Sequence, residues 1–315
     1  MMIRRKASSV IALIVSTVFL YPVIPYRSIA AESLDSVVAT GAVLEKMADG
    51  FMFTEGPAVD YNGNVYFSDV RASIIYMWSI DGVLSTFREN TEKANGLYFD
   101  AEGNLIACAG GARSVVSYDP DGEITTIADR YDGKRLNMPN DIWAAQCGGL
   151  YFTDPNYSRN EMEVDGEHVY YITPDRKTVI KVIGNLVKPN GIVGNPLTGV
   201  IYVIDSRQQK TFAYTIESDG TLSGERLFAE EGRDGMTVDV KGNVYITSQE
   251  GVSVYSYSGE RLGIIEVPET TTNVCIGGID HRTLFITTGS SLYSIPLKNQ
   301  GFIPENFMAV SEIDE

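Results

Sequence analysis

The sequence is poor in the residues on which many catalytic and metal-binding schemes depend. It has 2 histidines and 3 cysteines in 315 residues, so a three-histidine zinc site is impossible and disulfides cannot staple a fold of this size. Positive charge is also scarce, with 25 Lys and Arg against 41 Asp and Glu and a formal net charge of −16. This balance argues against nucleic acid or an anionic membrane surface as a partner. No Gly-x-Ser-x-Gly motif occurs, which disfavours a serine-nucleophile hydrolase.

Long apolar runs are missing except near the N terminus. The basic segment Arg4-Arg5-Lys6 precedes an apolar stretch from Val10 to Leu20, and Ser28-Ile29-Ala30 supplies the small residues of a cleavage site. This order predicts a signal peptide over residues 1–30, because the stretch is shorter than the roughly 20 residues that span a bilayer. We therefore expect a periplasmic or secreted protein, free of the membrane after cleavage, with residues 31–315 as one domain. An uncleaved membrane anchor is the alternative.

One short strand-like phrase recurs six times in the rest of the chain. Turn residues precede most copies, and a second alternating run follows each one. The copies begin at intervals of 40 to 51 residues, at Val65, Leu105, Leu150, Ile201, Val244 and Leu284. Four short strands in each unit of this length are typical of a β-propeller blade. The sequence therefore predicts an all-β fold, a six-bladed β-propeller, in which the segment from Val38 to Met47 joins the last blade and closes the ring.

The innermost strand of each predicted blade begins about ten residues before the phrase, and in five blades that position carries a side-chain oxygen. The positions are Glu55, Asn95, Asn140, Asn190 and Asp234, with Cys275 in blade six. Because innermost strands converge on the central channel, we expect these side chains at one of its mouths. Two carboxylates among amides favour a hard cation, Ca²⁺ or another divalent ion, over zinc or copper. The alternative is that these residues only form the turns before strands.

The segments around these positions follow one another in a characteristic order. They are Thr54-Glu55-Gly56-Pro57, Ala94-Asn95-Gly96-Leu97, Pro139-Asn140-Asp141, Pro189-Asn190-Gly191 and Asp234-Gly235-Met236. In this order and spacing the chain resembles the SMP-30/gluconolactonase/regucalcin family of calcium-dependent six-bladed propellers over residues 50–295. The resemblance implies metal ligands at Glu55, Asn190 and Asp234, with Asn140 as a further ligand or a substrate contact. It also implies hydrolysis of a small-molecule lactone or ester, with Asp234 as the general base.

The chemistry of the residues is compatible with that activity. A bound calcium ion polarises a carbonyl oxygen as a Lewis acid and stabilises the charge that develops on it. We expect Asn140 and Asn95 to contact the substrate. Asp154 and Tyr157 follow a strand that returns toward the channel mouth, so we expect them to line the pocket too; a surface turn is the alternative for both.

One departure from the family pattern leaves the substrate open. Regucalcin-type members have an arginine that grips a sugar-acid lactone at the position of Met138, and Arg135 lies nearby in a different phase. Three functions therefore stay open: a secreted calcium-dependent lactone hydrolase, a non-catalytic ligand- or protein-binding propeller with a structural calcium, and an isomerase or synthase like the strictosidine-synthase relatives. The retained oxygen positions favour the first over the second.

Overall fold

The structure is a computed structural model that describes residues 33–158 and 161–303. The predicted signal peptide lies outside these residues. Within them the chain forms six four-stranded antiparallel sheets, one two-stranded hairpin and a single 3-10 turn at Leu34–Ser36. No helix in the described residues has the length and apolar character needed to cross a membrane. The predicted all-β, six-bladed propeller is confirmed.

Blades one to three use consecutive strands, ordered from the channel outward. Blade one contains β2 (Thr54–Val59), β3 (Val65–Asp69), β4 (Ile74–Trp78) and β5 (Leu84–Glu89). Blade two contains β6 (Ala94–Phe99), β7 (Leu105–Ala109), β8 (Ser114–Tyr118) and β9 (Ile124–Ala128). A hairpin of β10 (Arg130–Tyr131) and β11 (Lys134–Arg135) leads to blade three, which contains β12 (Ile142–Ala144), β13 (Leu150–Asp154), β14 (His168–Ile172) and β15 (Val179–Ile183).

Blades four and five follow the same order, and blade six borrows its outermost strand from the start of the chain. Blade four contains β16 (Pro189–Asn195), β17 (Val200–Asp205), β18 (Lys210–Ile216) and β19 (Leu222–Ala229). Blade five contains β20 (Met236–Val238), β21 (Val244–Thr247), β22 (Gly251–Tyr255) and β23 (Arg261–Glu266). Blade six contains β24 (Thr271–Gly277), β25 (Thr283–Thr288), β26 (Ser291–Pro296) and β1 (Glu45–Asp49).

Strand β1 closes the ring as predicted. It pairs antiparallel with β26, with Glu45 opposite Ser294, and an isolated bridge joins Val38 to Leu297. One N-terminal strand thus completes a sheet made from the C-terminal part of the domain. This closure removes the two free sheet edges that an open ring of blades would expose.

The recurring phrase is the second strand of every blade. Strands β7 and β13 are buried at all five positions, because neighbouring blades cover both faces of these strands. They therefore lack the alternation of polar and apolar residues that is typical of a half-buried strand. The outermost strand β5 is instead exposed or half-buried along its whole length. Burial on both faces explains why the phrase is so apolar, and therefore why it could be recognised in the sequence.

Glycine follows the first oxygen-bearing residue in four blades because the innermost strands approach one another too closely for a side chain. A Cβ added at Gly191 would lie 2.3 Å from the backbone oxygen of Asp234. We expect Gly191→Ala to lower the free energy of unfolding by about 1–3 kcal/mol, the usual cost of overpacking. Urea denaturation would measure this loss. Gly289→Ala is the matched control, because a Cβ there has no atom within 4 Å, and equal midpoints for the two variants would contradict the prediction.

Candidate metal and catalytic centre

The starts of the six innermost strands form a closed ring at one mouth of the central channel. At this mouth each blade donates a hydrogen bond, from a backbone N–H or a hydroxyl group, to a backbone carbonyl at the start of the next innermost strand. In ring order, the donors and acceptors are Ser68 Oγ to Asn95 O (2.8 Å), Gly96 N to Asn140 O (2.7 Å), Thr153 Oγ1 to Asn190 O (2.7 Å), Gly191 N to Asp234 O (2.8 Å), Gly235 N to Thr272 O (2.8 Å) and Thr272 Oγ1 to Thr54 O (2.8 Å). These bonds bring together all five predicted positions, Glu55, Asn95, Asn140, Asn190 and Asp234.

Irregular strand pairing accompanies the ring. One extra residue interrupts the register where the innermost strand leaves the mouth, between Glu55 and Ala58 in blade one and between Ala94 and Leu97 in blade two. Blades four and six have a register shift at the same place. β-bulges of this kind turn side chains away from the regular alternation and are common beside active sites.

The prediction for blade six was wrong. Thr272 occupies the position equivalent to the other ring residues, and its carbonyl accepts the Gly235 N–H. Cys275 lies three residues further along β24 and packs in the core against Phe67 and Phe285. The count failed because Thr272 lies twelve residues before the phrase at Leu284, whereas the ring residue lies ten residues before the phrase in blades one, two, three and five and eleven in blade four. Threonine still contributes an oxygen, so all six ring positions carry one.

Two carboxylates face each other in the ring. Glu55 is 3% exposed and accepts the Gly56 N–H at 2.9 Å, and its carboxyl group is within hydrogen-bond reach of Asp234. Burial and the charge of Asp234 raise the pKa of Glu55 well above its usual range. Burial also raises the pKa of Asp234 to about 7, and the charge of Asp141 acts in the same direction. Asp234 is half-buried rather than buried, so it is the carboxylate that solvent can reach.

A polar layer lies directly behind the ring. Where four blades have glycine after the ring position, blades three and six have Asp141 and Asn273, and Asn273 Nδ2 lies 3.4 Å from Asp141 Oδ2. Their side chains fill the space that the glycines leave: a Cβ at Gly96 would lie 2.4 Å from Asp141 Oδ1. The Asp141 carboxylate also accepts N–H groups of Ile142 and Ile192 at 3.0 and 3.3 Å, while burial raises its pKa to about 6. The sequence did not predict this layer.

A cavity occupies the other half of the channel. Asp141 and Asn273 form part of its wall. The remaining wall is largely apolar and aromatic, and includes Tyr98, Trp143 and Phe302. The polar layer therefore separates this apolar cavity from the ring of oxygen-bearing residues.

The amide side chains of the ring fall into two groups. Asn190 is 4% exposed, and its Nδ2 donates to the Tyr157 hydroxyl at 2.7 Å. Among the described residues, the side chains of Asn95 and Asn140 form no hydrogen bond. Their amides are therefore available to a cation or a substrate at the mouth.

Asp154 has a different environment from the one predicted for a substrate contact. It is fully buried, and its carboxylate accepts the N–H groups of Asn137 and Met138, both at 2.8 Å. Asp69 and Asp205 stand at the same place in their blades and bind the preceding linker in the same way. This repeated contact holds the linker that leads into each innermost strand. The substrate-binding role of Asp154 stays a prediction, and this geometry adds no support to it.

Loops of blades two and three build up one side of the mouth. Glu163 binds the Arg113 guanidinium at 3.2 Å and the backbone N–H of Arg135 at 3.0 Å. The Arg135 side chain donates to Ala112 O at 2.7 Å, so it is engaged within these loops. Met138 packs over Gly110, where an added Cβ would lie 3.1 Å from the methionine side chain. A guanidinium that lies near the ring is that of Arg233, which is exposed. Its positive charge acts to lower the pKa of Asp234 and so opposes the increase caused by burial.

The donor set of the ring fits a hard divalent cation. The described residues contain no group of three or more His, Cys, Asp or Glu residues arranged around one point, so any cation here must rely on amide oxygens as well. Glu55 and Asp234 face each other in a largely water-excluded ring where burial raises the pKa of both, and a cation between them stabilises their ionised forms. Glu55, Asn190 and Asp234 would hold the cation, and Asn140 adjoins them. Calcium accepts mixed carboxylate, amide and water oxygens of this kind.

Comparison with known proteins identifies relatives over nearly the whole domain. The family model described as the SMP-30/Gluconolactonase/LRE-like region matches residues 53–290. A gluconolactonase of Zymomonas mobilis is 27% identical over 303 residues, covering 85% of each chain. A gluconolactonase structure from Xanthomonas campestris has a TM-score of 0.78 at 30% identity, covering 84% of this chain and 92% of that one. Regucalcin from Agrobacterium tumefaciens, described as a calcium-binding protein, shares the fold with a TM-score of 0.71 at 16% identity, covering 82% and 95%.

The matched range contains every ring residue from Glu55 to Thr272 and the second strands that hold them. At the level of the family, the relatives named gluconolactonase support lactone hydrolysis. The resemblance predicted from the sequence is thus confirmed, and the chain belongs to the SMP-30/gluconolactonase/LRE-like family of β-propellers.

Proposed function

We propose that this protein is a calcium-dependent hydrolase that opens a small-molecule lactone at the ring of oxygen-bearing residues. The observation that carries the proposal is the pair of facing carboxylates, Glu55 and Asp234, in a ring whose other side chains are amides and a hydroxyl. A family whose named relatives are lactonases supports the choice of substrate class. We further propose that the protein acts in the periplasm or outside the cell, on the basis of the N-terminal sequence pattern alone.

The two carboxylates take different roles because their environments differ. When bound, the cation supplies a Lewis acid for the lactone carbonyl. Glu55 is buried and tied to the Gly56 N–H, which suits a fixed ligand. Asp234 is half-buried, so a water molecule can approach it from the mouth. Asp234 takes the proton of the attacking water as general base, a role that requires direct hydrogen-bond reach.

The remaining polar groups at the mouth orient the substrate. Asn95 and Asn140 offer amide donors with no partner among the described side chains, and these suit the ring oxygen and hydroxyl groups of a lactone. Arg233 is exposed beside Asp234, where its guanidinium faces the carboxylate that ring opening produces. Met138 offers the substrate an apolar contact, in place of a polar one, on the blade-three side of the mouth.

Hydrolysis of a panel of lactones tests this function. We expect the purified protein to release acid from at least one five- or six-membered lactone, followed in a pH-stat, with added calcium. The rate should fall to the uncatalysed background after treatment with a chelator and return when calcium is restored. A protein that binds calcium but opens no lactone or ester would instead favour a non-catalytic binding propeller, the second candidate.

A further inference from the structure

The linkers that enter the innermost strands place a further set of side chains beside the ring. The residue two positions before the ring residue is equivalent from blade to blade. In blades one to four this position holds Phe53, Lys93, Met138 and Lys188. Two of these four residues are lysines, so this part of the mouth brings positive charge next to a ring that contains two carboxylates.

The two lysines differ in whether their charge already has a partner. The Lys188 ammonium donates to Asn156 O at 2.9 Å and to Glu167 Oε1 at 2.8 Å, and it lies 5.0 Å from the centre of the Tyr157 ring. Lys93 is exposed, and among the described residues its ammonium forms no hydrogen bond or ion pair. Lys93 therefore has a positive charge that a ligand can use.

The backbone holds Lys93 at this place. The Lys93 N–H donates to Ser73 Oγ at 3.2 Å, and the preceding carbonyl, Glu92 O, accepts the Gly111 N–H at 2.8 Å. Glu92 and Lys93 both have a positive φ, 52° and 55°, which is disfavoured for residues with a side chain. Such a conformation persists only where the surrounding contacts impose it, so the Lys93 side chain starts from a fixed point.

Two glycines leave a gap between Lys93 and Met138. An added Cβ at Gly111 would lie 3.5 Å from Lys93 Cγ, and one at Gly110 would lie 3.1 Å from Met138 Cγ. The stems of the lysine and the methionine therefore flank the same loop of blade two, which has no side chains at these two positions. A substituent of the substrate can lie over this loop, with the ammonium on one side and the methionine on the other.

Unpaired amides lie at the inner end of this gap. Asn95 and Asn140 follow Lys93 and Met138 by two residues, and their side chains form no hydrogen bond among the described residues. Asn140 is only 6% exposed, and a buried amide without a partner is an unusual arrangement unless a ligand completes it. A lactone that these amides hold has its substituent in the gap, next to the Lys93 ammonium.

We propose that Lys93 is a specificity-determining residue that binds a carboxylate substituent of the substrate, so that the preferred substrate is an anionic lactone. The inference rests on the proposed function, because it names the class of lactone that is opened at the same ring. One ammonium matches the single charge of a carboxylate, whereas a phosphate carries a charge of about −1.5 to −2. The formal net charge of −16 repels anions from the protein as a whole, so an anionic substrate needs a local positive charge at the mouth.

Lys93 and Arg233 belong to opposite sides of the mouth. They precede the innermost strands of blades two and five, which are three places apart in a ring of six. Arg233 lies beside Asp234, where ring opening produces a new carboxylate, and Lys93 binds the carboxylate that the substrate already has. The two cations therefore assign the two ends of the opened product to opposite blades.

Two lactones that differ in one group test the proposal. The charged probe is a γ-butyrolactone with a γ-carboxylate, and the neutral probe has a γ-hydroxymethyl group instead. At saturating calcium we expect Lys93→Met to lower kcat/KM on the charged probe by about 10–100-fold, mainly through a higher KM, and to leave the neutral probe within about twofold of the wild type. Lys93→Arg should keep the preference of the wild type for the charged probe, because it keeps the positive charge.

The matched control is Lys241→Met. Lys241 is exposed on the hairpin of blade five at the other end of the channel, so the variant loses the same charge far from the mouth and should equal the wild type on both probes. Ionic strength gives an independent check, because salt screens exposed charges. The KM of the wild type for the charged probe should rise with salt more steeply than that of Lys93→Met.

Three results would overturn the inference while leaving the proposed function intact. The first is a wild type that opens neutral lactones as well as the charged probe, or better. The second is an equal fall on both probes in Lys93→Met, which would mean that Lys93 acts on the fold or the ring rather than on the carboxylate. The third is an equal salt dependence in the wild type and Lys93→Met. A wild type that opens no lactone would overturn the proposed function and this inference together.

Discussion

Asp234→Asn should abolish lactone hydrolysis in a protein that remains folded. The substitution removes the half-buried carboxylate that solvent can reach and leaves an amide, which cannot accept the proton of the attacking water at neutral pH. Loss of a general base lowers turnover by about 10²–10⁴-fold, and weaker cation binding adds to that loss. The shape of the side chain is preserved, so the backbone bond from Gly191 N to Asp234 O should persist.

The measurement is kcat and kcat/KM on the best lactone of the panel at saturating calcium, with circular dichroism to verify the fold. Asp121→Asn is the matched control, because this exposed turn residue in blade two loses the same charge far from the ring, and its rates should equal those of the wild type. Retention of more than a tenth of wild-type kcat by Asp234→Asn would remove Asp234 from the catalytic role. In that case Glu55 would become the carboxylate to test.

The propeller could be predicted from the sequence because its most regular element is also its most buried one. Second strands such as β7 and β13 are covered on both faces, so each became an apolar phrase bounded by turns. The closing strand was predictable for a different reason: a ring of blades with free edges would be unstable, and only the N-terminal segment was left to cover them.

The ring residue was predictable in blades one to five, where ten or eleven residues separate it from the recurring phrase. Thr272 was missed because twelve residues separate it from the phrase at Leu284 in blade six. The Asp141–Asn273 layer was missed for another reason. Its members come from opposite sides of the channel, at Asp141 and Asn273, and no spacing along the chain reports a contact across it.

Asp154 lies near the channel mouth, but its place in the repeat is as informative as that position. The same residue type recurs at the end of the second strand in blades one, three and four, as Asp69, Asp154 and Asp205. A carboxylate that accepts two backbone N–H groups stabilises a linker whether or not a ligand is present. The repeat that revealed the ring thus also indicated a structural role for Asp154, because the same contact with the preceding linker recurs in blades one, three and four.

Calcium should raise the thermal stability of the wild-type protein and reverse the order of stability between the wild type and Glu55→Gln. Without calcium, Glu55 and Asp234 oppose each other in the buried ring, so replacing one carboxylate with an amide should leave the melting temperature equal or higher. With calcium at about 100 times Kd, binding adds about 2.7 kcal/mol to the wild type. For a domain of this size that corresponds to an increase of about 5 °C.

Differential scanning calorimetry with calcium and with a chelator measures both effects on the same samples. Glu55→Gln should lose most of the calcium-dependent increase, because the cation loses a charged ligand, while its amide can still accept the Gly56 N–H that Glu55 accepts. Glu260→Gln, on an exposed turn of blade five, should keep the full increase and so controls for the change in net charge. A wild type whose melting temperature ignores calcium, or a Glu55→Gln variant that responds like the wild type, would contradict a cation site between Glu55 and Asp234. The reversed order of stability is the more specific test of the site, because a metal bound elsewhere on this acidic surface would stabilise both proteins alike.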